Sequence, residues 1–396
     1  MRICFVTNAT QTGGAERVLL ETVDVLKERG IECRILLAGD GELAHEFAGA
    51  GVPYAFLDGG SWVTWRRPSL WGRAKAAAKI AGGLLPAVRE ISRWRCDAIY
   101  TNSLTTCGGA LAARLLGLPH IWHLHEFGKE DHGVSYRFGE AVSNRAIGTL
   151  SSVCIVVSRA LRAKYSRFIP ASKLKVIYPS MHRGVTGAQY CSGHLAPAPG
   201  RKGPFRLVVV GGIVEGKGQA DAVRALALLV RQGVDAELSI VGEPYLPYSR
   251  TVEELVRATS MSDRVQMVGR VRDASPYLQC ADLVLVCSRS EAFGRVTIEA
   301  MLAGKAVVGA AAGATTELIQ DGHTGFLYKP GDAEDLAAKI RRLAAQQSLL
   351  KQLAENGRRW ASGHFTVERY ASELMDVLCT VVPSPAGPVR AVPARA

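Results

Sequence analysis

Paired cysteines are missing from this chain. Its nine cysteines stand singly, none in a C-x-x-C pair, and Cys4, Cys33, Cys154 and Cys287 fall inside apolar runs. That spacing excludes the usual zinc and disulfide frameworks and reads as reduced core thiols. No apolar run is long enough to span a bilayer. Arg2–Thr7 already reads as a buried strand, which leaves no room for a signal peptide, so a cytoplasmic setting is expected. Acidic residues are the scarcer charge: 36 Asp and Glu against 48 Lys and Arg leave a net charge of +12. Such a balance favours an acidic partner, whether nucleic acid, anionic lipid or a phosphorylated substrate. No recognisable nucleic-acid-binding module is present, which disfavours the first.

What is present is enough apolar material for a large core. Hydrophobic residues make up 48% of 396 residues, more than one domain core normally holds, so two domains are expected. The strand Arg2–Thr7 leads through a glycine-bearing loop, Asn8–Gly14, into a helix over Ala15–Arg29 and a strand at Glu32–Leu37. Further strands are expected at Ala98–Thr101, His120–Leu124 and Val153–Val157. The plan then restarts: a strand at Arg206–Val210, a loop at Gly211–Gly218, a helix over Gln219–Gln232 and a strand at Glu237–Val241. Strands at Val265–Met267, Leu283–Val286 and Ala306–Gly309 follow. Two successive α/β units imply two Rossmann-like domains, with ligands in the cleft beside the carboxyl ends of the strands. The expected division is 1–180, a Gly- and Pro-rich linker at 181–204, 205–364, a helix at 365–382 returning to the first domain, and a flexible tail at 383–396.

The most informative stretch runs Ser290-Glu291-Ala292-Phe293-Gly294-Arg295-Val296-Thr297-Ile298-Glu299-Ala300-Met301. Glu291 precedes a helix and Glu299 lies about one turn inside it, so both carboxylates face the cleft from one helix N-terminus. Unpaired N–H groups and the positive dipole end there suit a diphosphate. Gly294 lets backbone approach phosphate closely. A Glu pair on its own would read as surface charge; Phe293-Gly294 and the flanks change that reading. The stretch resembles the Glu-x7-Glu motif of the retaining, family 4-type glycosyltransferases of the GT-B fold, two Rossmann-like domains facing across a cleft. Gly313-Ala314-Thr315-Thr316-Glu317-Leu318 downstream is also similar to the family. The resemblance covers nearly the whole chain.

That resemblance implies that Glu299 binds the ribose of a nucleotide-sugar donor, and that Glu291 contacts the transferred sugar or stabilises positive charge near it. It implies donor contacts from Phe293, Gly294, Arg295 and Val296, and contact with the base near Gly269-Arg270-Val271. Lys217, in Gly216-Lys217-Gly218-Gln219, resembles the family's diphosphate lysine. The family usually carries an arginine five residues earlier; here that residue is Gly212, and Arg295 is a candidate replacement. Gly13 and Gly14 are similar to the N-terminal Gly-Gly loop, though a structural tight turn is the alternative; Arg17 stands where a dinucleotide fingerprint needs a third glycine. His125 matches the family's donor-sugar histidine best and His123 second, although a lone histidine is commonly structural. Asn102, His123 and Glu126 are candidates for the acceptor side.

The resemblance implies retention without a bound metal, and no Asp-x-Asp occurs in the sequence. Metal and cofactor are therefore not expected; the nucleotide-sugar is the substrate. The acceptor is expected to be a glycan or lipid-linked, in bacterial polysaccharide or glycoconjugate assembly. Between Trp62 and Arg95 lie Arg66, Arg67, Arg73, Lys75, Lys79, Arg89, Arg93 and Arg95 against Glu90 alone, with Trp65, Trp71 and Trp94 interleaved. A second basic run spans Arg159 to Lys175. The first reads either as a solvated helix packed on the core or as a peripheral contact with an anionic membrane. Competing functions are a GT-B-fold epimerase, a catalytically silent sugar-nucleotide-binding protein and, from the Rossmann-like pattern alone, a nicotinamide-dependent oxidoreductase.

Overall fold

The computed structural model describes residues 1–65, 67–181 and 203–382. Most of the expected linker, the whole expected tail and Arg66 lie outside the described residues. Two parallel sheets organise the chain. The first uses β1 (Arg2–Thr7), β2 (Glu32–Leu37), β3 (Tyr54–Phe56), β5 (Ala98–Asn102), β6 (His120–Leu124), β8 (Val153–Val156) and β9 (Leu174–Val176), in the order β3-β2-β1-β5-β6-β8-β9. Between them, β4 (Val63–Thr64) and β7 (Ser135–Tyr136) form a small antiparallel pair. The second sheet uses β10 (Phe205–Val210), β11 (Ala236–Val241), β12 (Val265–Gly269), β13 (Leu283–Val286), β14 (Ala306–Ala310) and β15 (Phe326–Tyr328), in the order β12-β11-β10-β13-β14-β15.

The strands form where they do because both sheet faces are covered by helices. A strand buried on both faces needs apolar residues throughout, and Ile3, Cys4, Phe5, Val208, Leu283 and Val284 are all at most 1% exposed. In both sheets the order reverses beside the first strand, at β1/β5 and β10/β13. Loops leaving neighbouring strands in opposite directions open a crevice there, at the carboxyl ends. The second sheet places the Lys217 loop after β10 and the Glu291 loop after β13 at that crevice.

The last helix, Val367–Val381, packs on the first domain, not the second: Tyr370 is hydrogen-bonded to Thr22 at 2.6 Å. The chain thus crosses between domains twice. Where the described chain leaves the first domain, Met181 N–H donates to the carbonyl of Phe365, which precedes the last helix, at 3.2 Å. The basic segment forms the helix Leu70–Trp94, which buries Ala76, Ile80, Gly83, Ala87 and Ile91. Its cap is Ser69, whose hydroxyl accepts from the Gly72 N–H. All eight cysteines among the described residues are free. No helix among those residues is long and apolar enough to cross a membrane.

Candidate active site

Three loops of the second domain build one face of the site. After β10 the chain makes a tight turn, Glu215–Lys217, and Gly218 takes a left-handed conformation at φ 65°. Any side chain at Gly218 would run into the Cys287 carbonyl, so glycine lets this loop sit against the end of β13. Lys217 Nζ then lies 2.8 Å from Glu291 Oε2. Burial alone would raise the Glu291 carboxyl, but Lys217, by charge and hydrogen bond, together with Ser288 holds it below the usual carboxylate range. Gly294, at φ 94°, starts the helix Arg295–Leu302; its missing side chain leaves room for Leu318 Cδ1 and Glu291 Cγ. Glu299 projects from that helix and stays partly exposed. The ion pair, the two carboxylates and the free N–H groups of one helix start share a small region. It combines a cation with oriented donors for a diphosphate and carboxylate acceptors for hydroxyl groups.

The first domain supplies the opposite wall. Gly13 caps the helix Gly14–Glu28; its N–H donates to Glu16 Oε2 at 3.1 Å, while nothing crowds Gly14. His125 directly follows β6 at the cleft, its Nε2 2.8 Å from Asn102 Oδ1. Burial, with the nearby Arg295 charge, lowers His125 to about 3, so the ring is neutral. Glu126 receives the backbone N–H groups of Leu104 and His125, each at 3.3 Å. Burial pushes its carboxyl up to about 8, against the lowering effect of the Ser103 hydrogen bond.

Several sequence expectations change. Asn102 and His123 are fully enclosed, at 0% exposure. Asn102 bonds to His125 and to the Ala15 carbonyl, and His123 Nδ1 to Tyr100 at 2.7 Å. They buttress His125 from behind and have no surface for an acceptor. The Phe293 side chain turns away from the donor region and joins Tyr178 and Phe365 beside the interdomain crossings, with ring centroids 6.4 and 6.0 Å away. Val296 packs against the core from the helix start. Arg295 is not a spare phosphate cation: its guanidinium donates to Glu21 of the first domain at 2.9 and 3.1 Å and lies 3.5 Å from Glu299. Arg270 pairs across the cleft with Glu42 at 3.0 Å. Sequence reasoning missed these cross-domain partners, and also Glu317, whose carboxylate receives the N–H groups of Arg159 and Ala160 at 3.0 and 2.7 Å. Among the described residues no three His, Cys, Asp or Glu side chains converge as a metal site.

Two facing Rossmann-like domains with this Glu-x7-Glu helix start define the GT-B class of glycosyltransferase architecture. The family described as "Glycosyl transferase 4-like domain" matches residues 13–180, and "Glycosyl transferases group 1" matches residues 196–360; the chain belongs to the family 4-type GT-B glycosyltransferases. It is 33% identical over 153 residues to N-acetyl-alpha-D-glucosaminyl L-malate synthase of Bacillus anthracis, covering 39% of each chain. It is 31% identical over 180 residues to a lipopolysaccharide core biosynthesis mannosyltransferase of Rhizobium leguminosarum, covering 45% of this chain and 51% of that one. The matched region thus spans two fifths to one half of these relatives' length. In fold it is similar to Anabaena HepE, solved in complex with UDP-glucose, at TM-score 0.78 and 23% identity over 96% of this chain and 100% of that one.

Proposed function

We propose that this protein transfers a sugar from a nucleotide-sugar to a glycan or lipid-linked acceptor, with retention of anomeric configuration, in polysaccharide or glycoconjugate assembly. One observation carries the reading: Lys217, Glu291 and Glu299 gather at the start of one helix, with Lys217 2.8 Å from Glu291. The leaving group is a nucleoside diphosphate, whose growing charge is the main obstacle. Lys217 and the helix-start N–H groups meet that charge from fixed positions. Glu299 accepts from the ribose hydroxyls. Glu291, kept ionised by Lys217, lies where positive charge develops on the sugar. His125, kept neutral by burial, offers hydrogen bonding to the sugar without adding charge. The donor phosphate itself takes part in deprotonating the acceptor on the same face, which gives retention. The Anabaena neighbour's complex with UDP-glucose supports testing UDP first.

A thermal-shift panel of UDP, GDP, ADP, CMP and NAD on wild type and Glu299→Ala tests the donor site. A ligand at one hundred times its Kd stabilises by about 2.7 kcal/mol. The expected result is a shift with UDP or GDP that weakens in the variant; a shift with NAD alone would overturn the reading. Proton NMR of the first-formed product reads the anomeric outcome.

The helix Leu70–Trp94 supports a peripheral membrane contact within the same reading. Trp65, Leu70, Trp71 and Leu85 are 76%, 82%, 73% and 64% exposed. Arg73, Lys75 and Arg89 beside them form no ion pair with described residues. Exposed Trp and Leu beside cations without a carboxylate partner, Lys75 lying over the Trp71 ring, suit an anionic interface, on the inner face of the cell membrane if the protein is cytoplasmic. Co-sedimentation with phosphatidylglycerol vesicles at low salt tests this, and absence of binding would remove it.

A further inference from the structure

Gly212 poses a physical question. Its backbone is not in the left-handed region, so the chain conformation does not call for glycine there. The nearest obstacle to a side chain there is Tyr245. A Cβ built on Gly212 would lie 3.1 Å from Tyr245 Cε2 and 3.5 Å from Cδ2. With a side chain at 212 the ring would have to give by a few tenths of an ångström, whereas glycine lets it lie where it does.

The main chain that carries the ring is held by backbone hydrogen bonds. The segment after β11 runs beside the segment after β10 as a short parallel extension of the sheet: Ile213 N–H donates to the Glu243 carbonyl at 2.8 Å, and Tyr245 N–H to Ile213 at 3.4 Å. A Cβ on the preceding Gly211 would in turn be 3.8 Å from Lys217 Cδ. The tyrosine ring and the lysine stem thus flank the same two-glycine turn at the carboxyl end of β10. Tyr245 is 54% exposed. Its hydroxyl makes no hydrogen bond to any described residue.

Lys217 is the cation assigned above to the diphosphate, and every nearby cation already has a carboxylate partner. Lys217 pairs with Glu291, Arg295 with Glu21, Arg270 with Glu42 and Arg289 with Asp221. A diphosphate presents more oxygens than one lysine can satisfy, and a phenolic O–H is a neutral donor suited to a phosphate oxygen. We propose that Tyr245 supplies a hydrogen bond to the donor's diphosphate, and that Gly212 is small so that the ring can lie there. The inference rests on the nucleotide-sugar site proposed above.

Isothermal titration of UDP and uridine, and of GDP and guanosine, against wild type, Glu299→Ala, Tyr245→Phe and Gly212→Arg/Tyr245→Ala tests it. Tyr245→Phe keeps the ring and removes only the hydroxyl. Its affinity for the diphosphate should fall about tenfold, with nucleoside affinity unchanged, as expected for one lost hydrogen bond to a charged group. A merely structural tyrosine would leave both unchanged. The double variant puts a guanidinium where the ring was, and should recover most of the lost diphosphate affinity. If wild type binds a diphosphate, Glu299→Ala weakens it and Tyr245→Phe does not, the tyrosine proposal alone falls. If wild type binds neither UDP nor GDP, the donor site falls and this proposal with it.

Discussion

Replacing Glu21 by alanine strands the Arg295 guanidinium between the domains. Both side chains are largely buried, at 13% and 9% exposure, and two hydrogen bonds of 2.9 and 3.1 Å join them. Removing one partner of a buried ion pair costs about 3–5 kcal/mol, because the survivor's charge is left without water or counter-ion. Glu299 remains 3.5 Å from Arg295 and takes up part of the charge, so the lower end, about 3 kcal/mol, is expected here. At roughly 2 °C per kcal/mol for a large domain, the midpoint should fall by about 6 °C. The double variant Glu21→Met/Arg295→Met leaves no stranded charge and should be more stable than Glu21→Ala. Calorimetry on the full chain reads both. A Glu21→Ala midpoint within about 1 °C of wild type, or a double variant no better than the single, would refute the argument.

Other outcomes follow from the same contacts. Glu126 is held at about 8, above its ordinary value, so the folded state keeps a proton that the unfolded chain loses. Stability from this group is full below about pH 4.5 and is lost as pH rises toward 8; Glu126→Gln should flatten that decline in midpoint-against-pH curves. His120 and His125 are held at about 3 by burial, so their contribution runs the other way. It is present above about pH 6.5 and lost on acidification toward pH 3, and His120→Gln should make the acid limb shallower. Glu317→Ala removes a cross-domain cap from the helix Arg159–Tyr165, a loss of about 1–2 kcal/mol. Hydrogen exchange should quicken at Arg159 and Ala160 while β8 stays protected; unchanged exchange would show the cap to be idle.

Much of the fold was legible because strands buried on both faces announce themselves as apolar runs. Arg2–Thr7, His120–Leu124 and Leu283–Val286 were readable with their boundaries intact. The three-residue strands Tyr54–Phe56 and Phe326–Tyr328 and the two-residue pair at Val63 and Ser135 were not, since so few residues carry no period. In the site, the donor loops follow strands and could be placed from chain order alone. Partners across the cleft could not: Arg295 meets Glu21 from 274 residues away. Alternation put His123 and His125 on one face, and their rings do lie 4.0 Å apart, but it carried no information on which of them β5 would cover. Phe293 looked like a donor residue because of its neighbours in sequence, whereas the aromatic side chains at the crossings claim it.

The hydrogen bond between Met181 and Phe365 ties the end of the first domain to the segment that returns to it. Met181 follows β9, the outer strand of the first sheet, and the rings of Tyr178, Phe293 and Phe365 pack together at this joint. The pairs Arg270–Glu42 and Arg272–Glu46 follow β12 and β2, toward the opposite edges of the two sheets. A joint at one edge and clasps at the other make a jaw. Phe293, two residues after Glu291, is seated in the joint, whereas Arg270 and Arg272 hold the clasps. The Glu291 loop is therefore tied to the joint side of the cleft, and the Arg270 loop to the clasp side.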